Sequence, residues 1–403
     1  MNIPKLRFKE FNGYWQAKEL ADVSEIVGGG TPDTTNSSFW GGEVIWLTPS
    51  EIKNKYTNNS IRKITELGLK NSSAKLLPEG SLIFTSRATV GEVSISTLKL
   101  CTNQGFLSLI INKDNYNQFV YYWILNNKKA FIRKASGSTF LEISKTDMKK
   151  VSGSFPNIKE QEKIADFLTA VDEKITNLEE KKAAFEKYKK GVMQAIFSQK
   201  TRFKKTGGTN YPDWISTSLN EILKDRHERN IDNTVTEVLS VAKNAGVINQ
   251  IEHLGRSFAS KNIDNYKIIR PNDVVYTKSP TSDFPFGIVK QNKLKRTGVV
   301  SALYGVYKPS NEYLGTILDY YFKSWQNTFN YLNPIVQKGA KNTINISDNN
   351  FLNGPEILLP LELDEQKMIA EFINANDEKL ELSSKELEEA RKFKKSLLQQ
   401  MFV

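Results

Sequence analysis

A long, ungapped internal repeat restricts the architecture of this chain more than any other feature of its sequence. Shifting the sequence by 205 residues lays Glu160-Gln-Glu-Lys-Ile-Ala-Asp-Phe-Leu-Thr-Ala-Val-Asp-Glu-Lys174 on Glu365-Gln-Lys-Met-Ile-Ala-Glu-Phe-Ile-Asn-Ala-Asn-Asp-Glu-Lys379, with nine identities in 15. The same shift carries Lys187-Tyr-Lys-Lys-Gly-Val-Met-Gln-Ala-Ile-Phe197 onto Lys392-Phe-Lys-Lys-Ser-Leu-Leu-Gln-Gln-Met-Phe402 without a gap. A proline precedes each copy, Pro156 and Pro360. Weaker echoes lie upstream, in Trp15 and Trp214 and in residues 77–85 against 270–277. A repeat that tolerates no insertion marks a rigid element of controlled length, so the chain reads as module, helix, module, helix.

The repeated segment has a helical period. Ile164, Val171, Leu178, Phe185 and Val192 recur every seven residues, with Leu168, Ile175 and Ile196 on a companion seam. Asn157 is placed to cap the helix, with Glu160 in the capping-box position. The second copy keeps Ile369, Ile373, Leu380, Leu387, Leu397 and Met401 but puts Asn376 and Ser383 on the seam, which weakens it in isolation. A helix from Asn157 to Phe197 rises about 60 Å and needs a partner along its length. The other copy is the obvious partner, and two equivalent halves relate most simply by a pseudo-twofold axis, which makes the helices antiparallel. A coiled coil with a different protein is the other reading, and opposite helix faces leave room for both.

The expected domains are a first module at 1–155, a long helix at 156–200, a second module at 201–358 and a second long helix at 359–403. Each module mixes short apolar runs with turn signals. Strands are expected at 44–48, 81–85, 106–111, 273–277 and 299–304, helices at 119–133 and 313–332, and a hinge at Thr206-Gly-Gly-Thr209. The fold class is therefore α+β, two strand-rich modules joined by two long antiparallel helices in a pseudo-twofold repeat. Apolar content of 39% with 11% aromatics suffices for real cores. Fifty-six Lys and Arg against 45 Asp and Glu leave +11, which favours a polyanionic partner. No apolar run approaches the roughly 20 residues of a membrane span, and the first residues lack a signal peptide's apolar core, so no membrane partner and a cytoplasmic location are expected. A single cysteine, Cys101, with only His227 and His253 beside it, offers neither a disulfide nor a metal cluster. Cys101 sits in an apolar stretch and reads as a buried structural thiol.

The helical frame repeats while the modules differ. Two unlike readers on one frame would contact two unlike half-sites and select a split, non-palindromic target. Here the chain resembles the specificity subunits of type I restriction-modification systems over nearly its whole length. Gly29-Gly-Thr-Pro32, Phe39-Trp-Gly-Gly42, Ile45-Trp-Leu-Thr48 and Ser86-Arg-Ala-Thr-Val-Gly91 are similar to that family's target-recognition domains, as is Pro156 followed by Glu160-Gln161, Ile164-Ala165 and Asp172. The second module lacks the Gly-Gly-Thr-Pro and Trp-Gly-Gly elements. Its Tyr266-Lys267, Gly298-Val-Val-Ser301 and Tyr304 resemble another class of these domains. The resemblance implies a non-catalytic subunit that binds double-stranded DNA with a bipartite target. It implies helices that dock two adenine-methyltransferase subunits, joined by restriction motor-nuclease subunits for cleavage. No cofactor is expected on this chain, while the complex would use S-adenosylmethionine, ATP and Mg²⁺.

A rival reading makes the chain itself a Mg²⁺-dependent endonuclease, with Asp33, Glu51 and Lys53 as the acidic pair and lysine of a metal site. That outline is cheap in a lysine-rich chain. An adenine methyltransferase is a weaker reading still, because no Asn-Pro-Pro-aromatic or Asp-Pro-Pro-Tyr segment is present to hold a flipped base. Gly28-Gly-Gly30 lacks the Gly-Lys-Ser/Thr that completes a phosphate loop. A pure protein scaffold, the remaining class, leaves the positive charge and the dissimilar modules unexplained. Base edges are read mainly by Arg, Lys, Asn, Gln, Ser and Thr on loops. The expected DNA-binding residues are Thr31, Arg87, Thr89, Asn103 and Gln104 in the first module, and Lys278, Ser279, Lys338, Lys341 and Asn342 in the second.

Overall fold

The computed structural model describes residues 3–137, 141–256, 262–278, 280–281, 283–338 and 344–403. The chain forms two compact units, Met1–Lys181 with Ser384–Val403, and Lys182–Ser383. The repeat is helical in both copies, Ile158–Phe197 and Leu363–Met401, with Phe402 just beyond the second helix. Asn157 caps the first of these, its Oδ1 accepting the Glu160 N–H at 3.0 Å. The Glu160 carboxylate does not complete the box, because it is engaged by Arg7.

Each unit contains the first half of one long helix and the second half of the other. In the first unit Ile164 and Leu168 share a core with Leu397 and Met401. Further along, Asp172 meets Lys394 and Glu179 meets Arg391, each at 2.5 Å. Numbers rise on one strand of the pair as they fall on the other, so the two helices run antiparallel in this unit. The second unit repeats the pattern, with Met193 and Ile196 packed beside Ile369 and Ile373, and Lys189 paired with Asp377. Of the polar seam positions of the second copy, Asn376 is buried and Ser383 half-buried. Asn376 turns its Nδ2 to the Phe372 carbonyl at 2.7 Å, and Ser383 Oγ has no hydrogen-bond partner among the described residues.

The first module is built on a five-stranded sheet ordered Ser24–Gly28, Leu107–Ile111, Leu82–Phe84, Val93–Ser96, Tyr56–Thr57, antiparallel except for the last pair. A second sheet places Trp40–Leu47 between Arg62–Ile64 and Cys101–Thr102. Burial pushes the Cys101 thiol up to about 12, so it is an inert core residue. The helix expected over 119–133 is two helices, Asn117–Asn126 and Lys128–Lys134. Asn127 makes the break by turning its side-chain amide onto the Trp123 carbonyl.

The second module has a four-stranded antiparallel sheet ordered Leu223–Asp225, Gly305–Pro309, Val274–Tyr276, Val289–Gln291. The apolar run expected as one strand at 299–304 ends early, at Gly298–Val300, and pairs with Lys267–Ile269. The expected 313–332 helix is likewise two, Glu312–Tyr321 and Trp325–Leu332, the second capped by Ser324. Gly207 and Gly208 both adopt positive φ and form a tight turn that brings the Lys205 N–H to the Thr209 carbonyl. Both modules close alike. Gln16–Glu19 pairs with Ser152–Phe155, and Ile215–Thr217 with Ile357–Leu359, so each module begins beside the strand that leads into its long helix.

Candidate nucleic-acid interface

In the first module the motif segments converge. Trp46 donates its indole N–H to the Gly30 carbonyl at 2.8 Å, and Trp40 donates to the Asp33 carbonyl at 3.1 Å, so both tryptophans hold the 30–33 loop. The two rings meet edge-on at 5.0 Å, and the exposed Arg62 guanidinium lies 3.6 Å over Trp40. Gly29 lies against the 102–103 backbone. A Cβ there would fall 1.9 Å from the Asn103 carbonyl oxygen, so only glycine permits the approach.

That approach assembles most of the expected contact residues. Arg87, Asn103 and Gln104 line one surface depression of about 290 Å³ together with Pro49, Ala88 and Gly105. Thr31 donates its hydroxyl to Gln104 Oε1. Asn103 is fixed by its own backbone, its Oδ1 accepting the Gly105 N–H at 2.9 Å, while its N–H reaches the Leu47 carbonyl at 3.0 Å. Ala88 has φ +63°, a left-handed conformation that projects Arg87 and Thr89 outward on either side. Arg87 is half exposed and lies 3.6 Å from Glu142, so its guanidinium keeps free donors. Thr89 is exposed on the same loop, outside the depression, and its carbonyl takes the Thr85 hydroxyl at 2.5 Å.

The second module differs. Lys278 is not a free loop lysine: its ammonium lies 2.6 Å from Asp348, which also meets Lys267 at 3.1 Å and accepts the Tyr307 hydroxyl at 2.9 Å. Burial would raise the Asp348 carboxyl, but the hydrogen bonds from Lys278 and Lys267 outweigh it and hold the group below its ordinary range. Lys338 lies in the short strand Gln337–Lys338, paired with Ile344–Asn345. Ser279, Lys341 and Asn342 lie outside the described residues.

The residues of the nuclease reading do not form a metal site. Glu51 Oε2 accepts the Thr48 N–H and hydroxyl at 2.8 and 2.7 Å, and its Oε1 accepts the Ile61 N–H at 2.7 Å. Asp33 is engaged by Thr35, whose backbone and hydroxyl donors pull its carboxyl below the usual range. Lys53 lines a separate cleft with Lys55, Asp172 and Lys394. Both carboxylates are turn-forming groups, and among the described residues no cluster of three or more His, Cys, Asp or Glu could hold a metal ion.

Where each module meets its long helix, the identities of the repeat become contacts. Glu160 is fully buried and takes a fork from Arg7, Nε at 2.7 Å and Nη2 at 2.8 Å, plus the Trp15 indole N–H at 3.2 Å. Glu365, equally buried, takes the same fork from Arg202 at 3.1 and 2.9 Å. Gln161 donates to the Pro156 carbonyl and accepts the Tyr116 N–H, at 2.9 Å each. Gln366 donates to the Pro360 carbonyl at 2.8 Å and accepts from Asn311 at 2.9 Å. Phe8 packs on Phe167 and Phe203 on Phe372. The arginines and phenylalanines belong to a second short repeat, Lys5-Leu-Arg-Phe-Lys9 and Lys200-Thr-Arg-Phe-Lys204, that the 205-residue comparison passes over.

Each of the two α+β modules is seated on an antiparallel pair of long-helix segments. Residues 12–187 match the family described as type I restriction modification DNA specificity domain. Over 178 residues the chain is 34% identical to the type I restriction enzyme MjaIX specificity subunit of Methanocaldococcus jannaschii, covering 43% of this chain and 41% of that one. It is 27% identical over 175 residues to the EcoR124I/EcoR124II specificity subunit of Escherichia coli, covering 41% and 43%. The matched stretch thus spans less than half the length of these relatives. The crystal structure of the type I restriction-modification S subunit from M. genitalium has the same fold, with a TM-score of 0.61 at 14% identity, covering 100% of this chain and 99% of that one.

Proposed function

We propose that this chain is the DNA-recognition subunit of a type I restriction-modification complex. In this reading residues 1–155 and 201–358 each read one half of a bipartite, asymmetric target, and the helices at 156–200 and 359–403 carry the modules and dock two methyltransferase subunits. The observation that carries it is the convergence of Thr31, Arg87, Asn103 and Gln104 on one surface of the first module. An arginine fork beside two amide side chains matches the donors and acceptors of guanine and adenine edges in the major groove. The second module lacks the Gly-Gly-Thr-Pro and Trp-Gly-Gly elements of the first, which suits an unrelated half-site. The net charge of +11 supplies the non-specific attraction to phosphate. S-adenosylmethionine, ATP and Mg²⁺ would act in the partner subunits, including the restriction motor-nuclease, in a cytoplasmic complex. No helix among the described residues is long and apolar enough to cross a membrane.

The test is to assemble the chain with a methyltransferase partner and sequence the modified adenines in random DNA. A single two-part, non-palindromic motif is expected. Equal modification of all sequences would sink the reading and leave a scaffold role.

A further inference from the structure

We propose that Arg7 and Arg202 are positioning residues for recognition: each locks its own module onto the long helix that follows it, and so sets how sharply that module's half of the target is read. This inference rests on the recognition function proposed above.

The contact is made twice with different surroundings. Arg7 reaches Glu160 across 153 residues and Arg202 reaches Glu365 across 163, so the same fork closes around modules of different length. Both carboxylates are at most 1% exposed. A carboxylate so buried is held only by the guanidinium facing it and the few donors around it. Each arginine is also tied to the backbone of the segment that leads into its module. Arg7 donates to the Gly13 and Asn12 carbonyls at 2.7 and 3.1 Å, and Arg202 to the Pro212 carbonyl at 2.5 Å. The fork therefore joins a module's beginning to the helix after its end.

From the fork to the reading surface the first module is continuous packing. Gln161, the next residue, seats the start of helix Asn117–Asn126 through the Tyr116 N–H and the Asn115 side chain. Phe119 and Tyr122 of that helix share one core with Trp15, Ile164, Phe84, Leu107 and Leu109. Phe84 and Leu107 lie on the strands that border the loops carrying Arg87 and Asn103-Gln104. In the second module Gln366 likewise holds Asn311, which caps helix Glu312–Tyr321. Close packing moves as bodies and not by continuous deformation, so a loosened fork displaces a reading surface as a whole.

The experiment uses the assembled methyltransferase complex on random-sequence DNA, with modified adenines sequenced for wild type, Arg7→Lys, Arg7→Met, Arg202→Met and Arg7→Met/Glu160→Gln. Lysine keeps the charge but loses the fork, so Arg7→Lys decides the matter if Arg7→Met does not fold. Expected for the Arg7 variants is a loss on the order of tenfold in base preference within one half of the motif, the other half unchanged. Arg202→Met should blur the opposite half. Replacing the stranded carboxylate in Arg7→Met/Glu160→Gln should restore part of the preference. Loss spread equally over both halves, or lower methylation with an unchanged motif, overturns the proposal while leaving the recognition function intact. A wild-type complex with no two-part motif would remove the functional reading and this inference together.

Discussion

Asp172 of the first long helix lies 2.5 Å from Lys394 of the second, and the same shift of 205 residues converts this pair into Asp377 with Lys189, with the helices exchanging roles. Reciprocity of this kind is what a self-complementary contact requires: position i of one copy meets j of the other, and j meets i. Each module then adds its own groups. Tyr122 donates to Asp172 at 2.6 Å, whereas Lys293 and Lys323 approach Asp377 at 3.3 and 3.4 Å.

Asp377 gives the chain an acid-sensitive point. Burial would raise its carboxyl, but Lys323, Lys189 and Lys293 prevail and hold it at about 2, below its ordinary 3.8. A depressed carboxylate contributes stability that is complete above 3.8 and is lost as the pH falls toward 2. Asp377→Asn should therefore cost about 2 kcal/mol at neutral pH. The gap to wild type in urea unfolding should narrow as the pH falls from 4 toward 2. A gap that stays constant over that range would show that the aspartate acts through packing alone.

The helical repeat was legible because seam spacing and length are local properties of sequence. The Arg7–Glu160 contact was not, although both partners recur. Modules of unequal length shift the Lys-x-Arg-Phe-Lys repeat by 195 residues, not 205, so one comparison aligns the glutamates and misses the arginines. The capping-box expectation for Glu160 failed for the same reason, since a local pattern cannot register a guanidinium 153 residues away. In the first module, Thr31 and Arg87 stand in the loop motifs and Asn103 and Gln104 do not, yet the close approach of Gly29 to the 102–103 backbone brings all four together. In sequence Lys278 reads as a loop cation, and the partner that engages it, Asp348, lies 70 residues on in a helix with no sequence signal linking the two.

Lys278 should consequently behave as a stabilising residue. Lys278→Met leaves Asp348 with Lys267 and Tyr307 alone, at an expected cost of about 1–3 kcal/mol. Thermal melting would register this without DNA. An unchanged melting temperature with weakened DNA binding would restore the free-cation reading.

Arg87 predicts the opposite pattern. Its pairing with Glu142 is half exposed on both sides and contributes little to folding. Arg87→Ala should leave stability within about 0.5 kcal/mol. Binding to the cognate target should weaken by about 1–3 kcal/mol and preference relax at one position. Competition binding against targets varied at each position separates this from a phosphate contact, which would weaken every sequence alike.

Glu51 separates the turn role from the nuclease reading. Removing its carboxylate in Glu51→Ala frees the donors of Thr48 and Ile61, which should destabilise the first module by about 1–3 kcal/mol in denaturant unfolding. Purified chain with Mg²⁺ should leave DNA intact before and after the change. Cleavage by wild type that vanishes in Glu51→Gln would overturn this.

Gly29 links the fold of the first module to its proposed reading surface most directly. An alanine methyl would be driven to 1.9 Å from the Asn103 carbonyl and 2.5 Å from that of Thr102, so backbone must move. Two strands' worth of contacts resist that motion. The Gly30 N–H bonds the Thr102 carbonyl at 2.9 Å, and the Asn103 N–H bonds the Leu47 carbonyl at 3.0 Å. Overpacking of this kind costs about 1–3 kcal/mol. The displaced segment carries Asn103 and Gln104, so recognition should suffer beyond the loss of stability. Gly29→Ala is expected to lower cognate DNA affinity at a temperature where the variant is still fully folded, with non-specific binding unchanged. Gly28→Ala is the control, because its Cβ would meet nothing within 4 Å. If both substitutions left cognate affinity intact, the 102–105 segment would not belong to the DNA-reading surface.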